Sequence, residues 1–178
     1  MKIGIIGGSG LDNPNILQDY HEEEIETRYG KPSSKIVCGK ISNIDVCILS
    51  RHGKNHEISP SQINFRANIA ALKMLGCTHI IATSAVGSLK EEYKPGDLVL
   101  VDQFIDRTHK RMTTFYEGDQ VCHVSTAEPF CPTVRQLLKE EAEKLKITFH
   151  DRGTCVVVEG PRFSTKAESK MYQSWGAD

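Results

Sequence analysis

The chain has 178 residues, of which 39% are hydrophobic and 25% charged. This is the composition of an ordinary folded domain, so we expect a single domain over residues 1–178 and exclude a disordered chain. The 22 basic and 23 acidic residues leave a formal charge of -1, which gives no bulk attraction to nucleic acid or to an anionic membrane. We expect neither partner, and any bound anion must be held by a few placed groups.

The six cysteines form no C-x-x-C pair, and several lie inside apolar runs. We interpret them as buried thiols in a reducing compartment, the cytoplasm, rather than as a disulfide framework or a zinc site. No run approaches the length of a membrane span, and the first residues do not form a signal peptide. His52 and His56 are spaced like a zinc pair, but Gly53 replaces the glutamate of H-E-x-x-H, so we expect no metal.

Apolar runs and turn residues predict alternating strands and helices along the chain. Strands are predicted over residues 1–6, 35–41, 44–50, 78–83, 97–101 and 154–158, and helices over 60–75, 133–145 and 165–175. Thr165 and Glu168 have the spacing of a capping box that opens the last helix. The acidic stretch 21–26 is interpreted as a solvated face. Within the strand over 78–83, His79–Ala82 is almost wholly apolar, which indicates burial on both faces. Helices that lead into buried strands are typical of an α/β fold.

The last predicted helix ends at Gly176, two residues before the chain ends at Asp178. In an α/β alternation, a helix that stops at a glycine is normally followed by another strand. We therefore expect that the domain continues and that its C-terminal part is missing from this sequence.

Three predicted strands end in short stretches that combine small residues with hydroxyl or cationic side chains. These stretches are Gly7–Gly10, Arg51–Gly53 and Ser84–Ser88. In open α/β sheets, ligands bind at the carboxyl ends of strands, so the three stretches can converge. An arginine fork, a histidine, two hydroxyls and backbone N–H groups are what a phosphate dianion requires. Each stretch taken singly is also typical of a plain turn.

Other readings of these residues are weaker or stay open. Asn13 and Leu11 stand where a dinucleotide fingerprint and a nucleophile elbow around Ser9 would need glycine. The stretch Glu159–Ser164 follows another predicted buried strand and contains Phe163. That ring is either a core residue or a wall on which a planar group stacks. A ring wall combined with a phosphate site would suggest a nucleoside or nucleotide ligand.

Seven ordered blocks of sequence carry a family resemblance. They are Gly4–Leu11, Ser50–Gly53, Thr83–Ser88, Pro95–Asp97, Asp102–Thr108, Ala127–Phe130 and Glu159–Thr165. Together they resemble the trimeric purine nucleoside phosphorylase family over the whole chain, and Gln103–Arg107 with Arg162–Ser164 point to its methylthioadenosine branch. The resemblance implies a mixed α/β fold with a central twisted sheet flanked by helices. It also implies a homotrimer with active sites at subunit interfaces.

The resemblance implies phosphorolysis of 5'-methylthioadenosine to adenine and 5-methylthioribose 1-phosphate, a step of methionine and purine salvage. Inorganic phosphate is then a co-substrate, and no cofactor is needed. The positions carried over are Ser9, Arg51, His52, Ser84 and Ala85 for phosphate, Phe163 as the purine wall, His123 for the neighbouring subunit's 5'-substituent pocket and Ser164 for substrate preference. Many members have threonine in place of Ser9 and Ser84, and serine keeps the hydroxyl.

Two alternatives stay open at this point. A phosphorylase of ordinary purine nucleosides or of methylthioinosine differs in carboxylates that read the base, which the family carries beyond residue 178. A non-catalytic nucleotide-binding module could use the same phosphate site. No residue of the 178 stands out as the proton donor to the purine, so the catalytic acid stays unknown.

Overall fold

The computed structural model describes residues 1–8 and 14–178. They divide into two compact units. The first unit comprises Met1–Val86 with Arg111–Phe115, and the second comprises Gly87–Lys110 with Tyr116–Asp178. Both contain helices and strands, which confirms the α/β class. The single-domain organisation stays a prediction.

The first unit is built on a five-stranded sheet with the order β2-β3-β4-β1-β5. Its strands are β1 (Lys2–Gly7), β2 (Gln18–Glu23), β3 (Ile36–Ile41), β4 (Ile44–Ser50) and β5 (His79–Ala82). Strand β1 pairs in parallel with β4 and β5, whereas β3 pairs antiparallel with β2 and β4. The sheet is therefore mixed, as expected.

The core of the first unit lies on both faces of β4. Side chains alternate between the faces of a strand, so neighbouring residues enter different clusters. Leu49 packs with Leu72 of helix α1 (Phe65–Met74), whereas Ile48 packs with Leu17 in a second cluster. This double burial explains why Val46–Leu49 of β4 is a continuous apolar run in the sequence.

Helix α1 begins later than the sequence indicates. Pro60–Gln62 forms a separate 3₁₀ turn, and α1 starts at Phe65. The side chain of Asn64 accepts a hydrogen bond from the Ala67 amide at 3.1 Å and caps the helix. Pro60 therefore opens the 3₁₀ turn, and the predicted start of the helix at residue 60 is wrong by five residues.

The expectation that strand β5 is buried on both faces is wrong. His79, Ile80 and Ala82 are exposed, and Ile81 is half-buried. In the described part of the chain, β5 is an edge strand that pairs with β1 on one side. An apolar run reports the chemistry of a strand but not its place in the sheet.

The interpretation of all six cysteines as buried thiols is also wrong. Cys38 and Cys47 lie directly opposite each other on β3 and β4, and they form a disulfide. Among the free cysteines, Cys77 and Cys155 are half-buried, and two others are exposed. The pairing follows from the hairpin register, which brings these two buried side chains together.

The second unit contains two small parallel sheets and two helices. Its elements are β6 (Leu98–Val99), β7 (Gln103–Arg107), α2 (Pro132–Lys144), β8 (Phe149–His150), β9 (Thr154–Val158) and α3 (Lys166–Ser174). Strand β6 pairs with β8, and β7 pairs with β9. Among the described residues, no helix combines the length and apolar character that a membrane span requires.

Candidate functional site

The carboxyl ends of three adjacent strands meet at one edge of the first unit's sheet. Strand β1 lies between β4 and β5. The Arg51 amide, just after β4, donates to the Gly7 carbonyl at 3.0 Å, and the Thr83 amide, just after β5, donates to the Ile6 carbonyl at 3.0 Å. The loops that leave these strands are thereby fixed side by side.

The Arg51 side chain reaches from the end of β4 to the loop after β5. Its Nη1 donates to the Thr83 carbonyl at 2.9 Å, and its Nη2 donates to Ser84 Oγ at 3.1 Å. A Cβ at Gly8 would lie 3.4 Å from Nη2, an ordinary van der Waals contact, so the guanidinium passes close to this residue. Burial lowers the pKa of Arg51 from its usual range, yet an arginine stays charged in proteins.

The contact from Arg51 determines what Ser84 can offer a ligand. A hydroxyl has one proton to donate, and Ser84 Oγ already accepts from the guanidinium. The Ser84 proton is therefore left for an acceptor such as a phosphate oxygen. Ser84 and Ala85 are both exposed. Ser9 lies outside the described residues.

The His52 ring closes its own loop. Its Nδ1 lies 2.9 Å from the Ile58 carbonyl, and the Ile58 amide donates to the His52 carbonyl at 2.9 Å. A carbonyl can only accept, so Nδ1 carries a proton, and Nε2 of the neutral ring is an acceptor. Nδ1 of His52 is therefore committed to the loop, which the sequence did not indicate.

The same loop depends on a glycine. Gly53 has a φ of +80°, which glycine adopts without strain. A Cβ at this position would also lie 2.6 Å from the carboxyl carbon of Glu57, whose Oε2 accepts the Asn55 amide at 2.8 Å. The loop that carries His52 is thus held by its own hydrogen bonds and by close packing.

Phe163 lies in the second unit, in the turn between β9 and α3. Its side chain is 90% exposed, so the interpretation of Phe163 as a core residue is wrong. Arg162 forms a two-pronged ion pair with Glu168 at 2.7 and 2.8 Å and donates to the Phe163 carbonyl at 3.0 Å. The turn is ordered by charged groups while the ring stays open to solvent.

The predicted capping box at the start of α3 is confirmed. Thr165 Oγ1 accepts the Glu168 amide at 3.2 Å, and the Glu168 carboxylate accepts the Thr165 amide at 2.7 Å. The Arg162 guanidinium and the Thr165 amide hold the pKa of Glu168 at about 2. Ser164 precedes this cap and shares a 2.8 Å hydrogen bond with Ser169.

The structure brings Arg51 and Ser84 together and places their neighbours His52 and Ala85 in the first unit. Three other candidates belong to the second unit: His123, Phe163 and Ser164. His123 is exposed in the segment 108–131 between β7 and α2. Over the described ranges 1–8 and 14–178, no group of three or more His, Cys, Asp or Glu side chains is placed to hold a metal ion.

Sequence reasoning missed the part that Arg162 and Glu168 play around Phe163. The capping box was visible as Thr165 and Glu168 three residues apart, but the ion pair spans six residues across a turn. Spacings outside a regular helix do not reveal which side chains meet.

Comparison with known families gives a match along almost the whole chain. A family model described as the phosphorylase superfamily matches residues 2–178. The chain is 55% identical over 183 residues to S-methyl-5'-thioadenosine phosphorylase of Danio rerio, covering 100% of this chain and 65% of that protein. For the protein of the same name in Thermofilum pendens, identity is 56% over 178 residues, covering 100% and 68%. The chain spans about two thirds of the length of these relatives.

Solved structures give the same fold. Methylthioadenosine phosphorylase from Schistosoma mansoni in its apo form superposes with a TM-score of 0.96 at 42% identity, covering 100% of this chain and 71% of that one. The same protein in complex with adenine gives a TM-score of 0.95 at 42% identity, covering 100% and 72%. The chain therefore has the nucleoside phosphorylase fold.

Proposed function

The chain belongs to the phosphorylase superfamily, and from this premise we propose that the full-length protein is an S-methyl-5'-thioadenosine phosphorylase, a pentosyltransferase of methionine and purine salvage. One observation carries the proposal: the whole of this chain is 55% identical to a relative of that name. The contact of Arg51 with Ser84 supports it, because it joins a fixed positive charge to a hydroxyl proton at a strand-end edge.

In the proposed reaction, a phosphate oxygen bonds to C1' of the ribose as the bond from C1' to the purine nitrogen breaks. The electron pair of that bond leaves with the purine, which takes up a proton to give adenine. The transition state resembles an oxocarbenium ion, so the negative phosphate stabilises it from the face opposite the base. Arg51 and Ser84 bind and orient the dianion, with the Ala85 amide and Ser9 as further contacts.

We assign the contacts to the nucleoside to three residues. Phe163 stacks on the purine, and Ser164 tunes the preference among purines and 5'-substituents. His123 reaches the 5'-substituent pocket of a neighbouring subunit in a homotrimer. The 90% exposure of the Phe163 side chain supports its role, because a ring that is open to solvent in the chain is free to stack on a ligand.

The test uses the full-length protein and measures free adenine released from methylthioadenosine with and without phosphate. We expect release only with phosphate, and faster turnover of methylthioadenosine than of adenosine, inosine or methylthioinosine. Preference for a 6-oxo purine would assign the protein to the rival phosphorylases. Nucleoside binding without release of a base would assign it to a non-catalytic binding module.

Three further properties belong to the proposal. The enzyme needs no cofactor, so dialysis against a chelator leaves its activity unchanged. It is a homotrimer, which light scattering of the full-length protein tests. It acts in the cytoplasm, which cell fractionation tests.

A further inference from the structure

Phe163 occupies an unusual position for an aromatic side chain. At 90% exposure, it is the most exposed large hydrophobic residue in the described part of the chain. Among the residues that the structure describes, the ring buries little surface, so their packing does not fix its position. Its orientation depends on the backbone of the turn that carries it.

That backbone is tied on both sides of Phe163 to one carboxylate. Arg162 binds Glu168 through both guanidinium prongs, and one of these nitrogens also donates to the Phe163 carbonyl at 3.0 Å. On the other side, the Thr165 amide donates to the same Glu168 carboxylate at 2.7 Å. The peptide of Phe163 is thereby fixed relative to the first turn of α3, while its ring stays outside.

Global stability does not account for this arrangement. The Arg162 and Glu168 side chains are 67% and 29% exposed, and exposed ion pairs add little to the free energy of unfolding. Two-pronged geometry nevertheless restricts orientation, because both guanidinium nitrogens and both carboxylate oxygens must align. With a pKa of about 2, Glu168 is ionised at neutral pH, so both partners of the pair are charged. The two-pronged ion pair therefore orders the backbone of the turn and adds little to the free energy of unfolding.

We propose that Arg162 and Glu168 are positioning residues that hold Phe163 ready to stack on the purine of the nucleoside substrate. The inference rests on the proposed phosphorolysis and assigns these two residues to nucleoside recognition. A turn whose backbone is ordered before binding loses less conformational freedom when the ligand arrives, which raises affinity for the nucleoside. Phosphate binding, which is assigned to the first unit, is independent of the pair.

The test compares three single variants of the full-length enzyme. Arg162→Ala removes the guanidinium. Glu168→Gln keeps the capping box, since glutamine serves at that helix position, but removes the charge that binds Arg162. The control, Lys144→Ala, removes an exposed ion pair with Glu141 that is equally short at 2.7 Å but lies on α2. We expect both variants of the pair to raise the KM for the nucleoside about tenfold and to leave the KM for phosphate unchanged. Their melting temperatures should match that of the control.

A double variant and hydrogen exchange separate this inference from the proposed function. If the two residues act as one unit, Arg162→Ala combined with Glu168→Gln is no worse than either alone. Amides of residues 160–166 should exchange faster in Arg162→Ala than in Lys144→Ala, whether or not the protein is a phosphorylase. An unchanged nucleoside KM in both single variants, or an equal rise in both KM values, would overturn the positioning role. Absence of phosphate-dependent adenine release from the wild type would overturn the proposed function, while the exchange rates still report on the ion pair.

Discussion

The two units of the chain are held together in different ways. Twelve of the buried hydrophobic residues described belong to the first unit, whereas the second unit has three, namely Ala142, Tyr172 and Ala177. In the first unit, side chains such as Leu49 and Leu72 are fully buried against each other. The strands that precede Arg51 and Ser84 therefore belong to a unit with a close-packed core.

The second unit relies more on hydrogen bonds and charges. Arg135 of α2 donates to the Leu100 and Val101 carbonyls, each at 3.1 Å. The Asp178 carboxylate accepts the Thr154 amide at 2.7 Å and pairs with Lys90. Within the described residues, apolar burial therefore supports the strands that precede Arg51 and Ser84, whereas polar contacts predominate in the unit that carries Phe163. Substitutions should therefore lower stability through lost apolar burial in the first unit and through lost hydrogen bonds and ion pairs in the second.

The largest expected effect comes from the core of the first unit. Leu72→Ala removes a fully buried side chain of α1, and we expect it to lower the free energy of unfolding by about 2 to 5 kcal/mol. Leu137→Ala on α2, where the side chain is 55% exposed, is the matched control and should cost less than about 0.5 kcal/mol. Denaturant titration measures both. Equal losses would show that the contrast in burial does not set stability.

The next effect is on phosphate. Arg51→Ala should weaken phosphate binding by about 2 to 4 kcal/mol, because a charge-assisted fork to a dianion is lost. At about 1.4 kcal/mol per factor of ten, this corresponds to a rise in phosphate KM of about 30-fold to several hundred-fold. Arg51→Lys keeps the charge without the fork and should fall between. Steady-state kinetics with phosphate varied would refute the role of Arg51 if the dependence did not change.

Two substitutions of His52 separate its nitrogens. Asparagine places a donor near the position of Nδ1, which binds the Ile58 carbonyl, whereas glutamine extends toward the position of Nε2. If His52 serves mainly to close its loop, His52→Asn stays close to wild type. His52→Gln then raises the phosphate KM by about twofold to tenfold, the weight of one hydrogen bond. The reverse order would show that Nε2 binds phosphate directly.

Acid should affect the second unit through Asp97. Its carboxylate lies 2.9 Å from Nε2 of His150, and this hydrogen bond, with one from the Lys94 amide, lowers the pKa of Asp97. A lowered folded-state pKa adds stability above the unfolded value of about 3.9, and that stability is lost as pH falls through the folded value. Asp97→Asn should therefore lower the melting temperature at pH 7, with the difference from wild type shrinking below about pH 4. A constant difference across this range would contradict the assignment.

The smallest effect is expected at Ser164. Since Thr165 is the helix cap, Ser164→Ala removes only the hydrogen bond to Ser169 and should cost about 0.5 to 1.5 kcal/mol or less. The ratio of methylthioadenosine to adenosine turnover should shift, because Ser164 is proposed to tune substrate preference. Thr165→Ala, which removes the cap at a cost of about 1 kcal/mol, is the control and should leave the ratio unchanged. A stability loss at Ser164 without a change in ratio would mean that its role is structural.

The sequence predicted most elements because their patterns are local. Strand β4 has the apolar centre Val46–Leu49 and helix α2 is amphipathic, and both occur within two residues of the predicted bounds. Strand β2 was missed because Gln18–Glu23 is polar and largely exposed, so only its pairing with β3 makes it a strand. The exposure of β5 was missed because sheet order is a long-range property.

The candidate site shows the same division. The rule that ligand loops follow strand ends correctly anticipated that Arg51 and Ser84 meet. It could not show that the Nδ1 proton of His52 is committed to Ile58, because that bond depends on how one loop folds back. Nor could it show that Arg162 reaches Glu168 across the turn that presents Phe163.

The close approach of Gly53 to Glu57 limits how this loop can diverge between related proteins. A methyl group at position 53 would meet the Glu57 carboxyl carbon at 2.6 Å, and the φ of +80° disfavours any side chain. A shorter residue at 57 relieves the first obstacle but not the second. Position 57 can therefore vary while glycine remains at 53, whereas a side chain at 53 is strained by its φ whatever residue stands at 57. Directed evolution of the loop that carries His52 should for this reason recover substitutions at 57 well before any at 53.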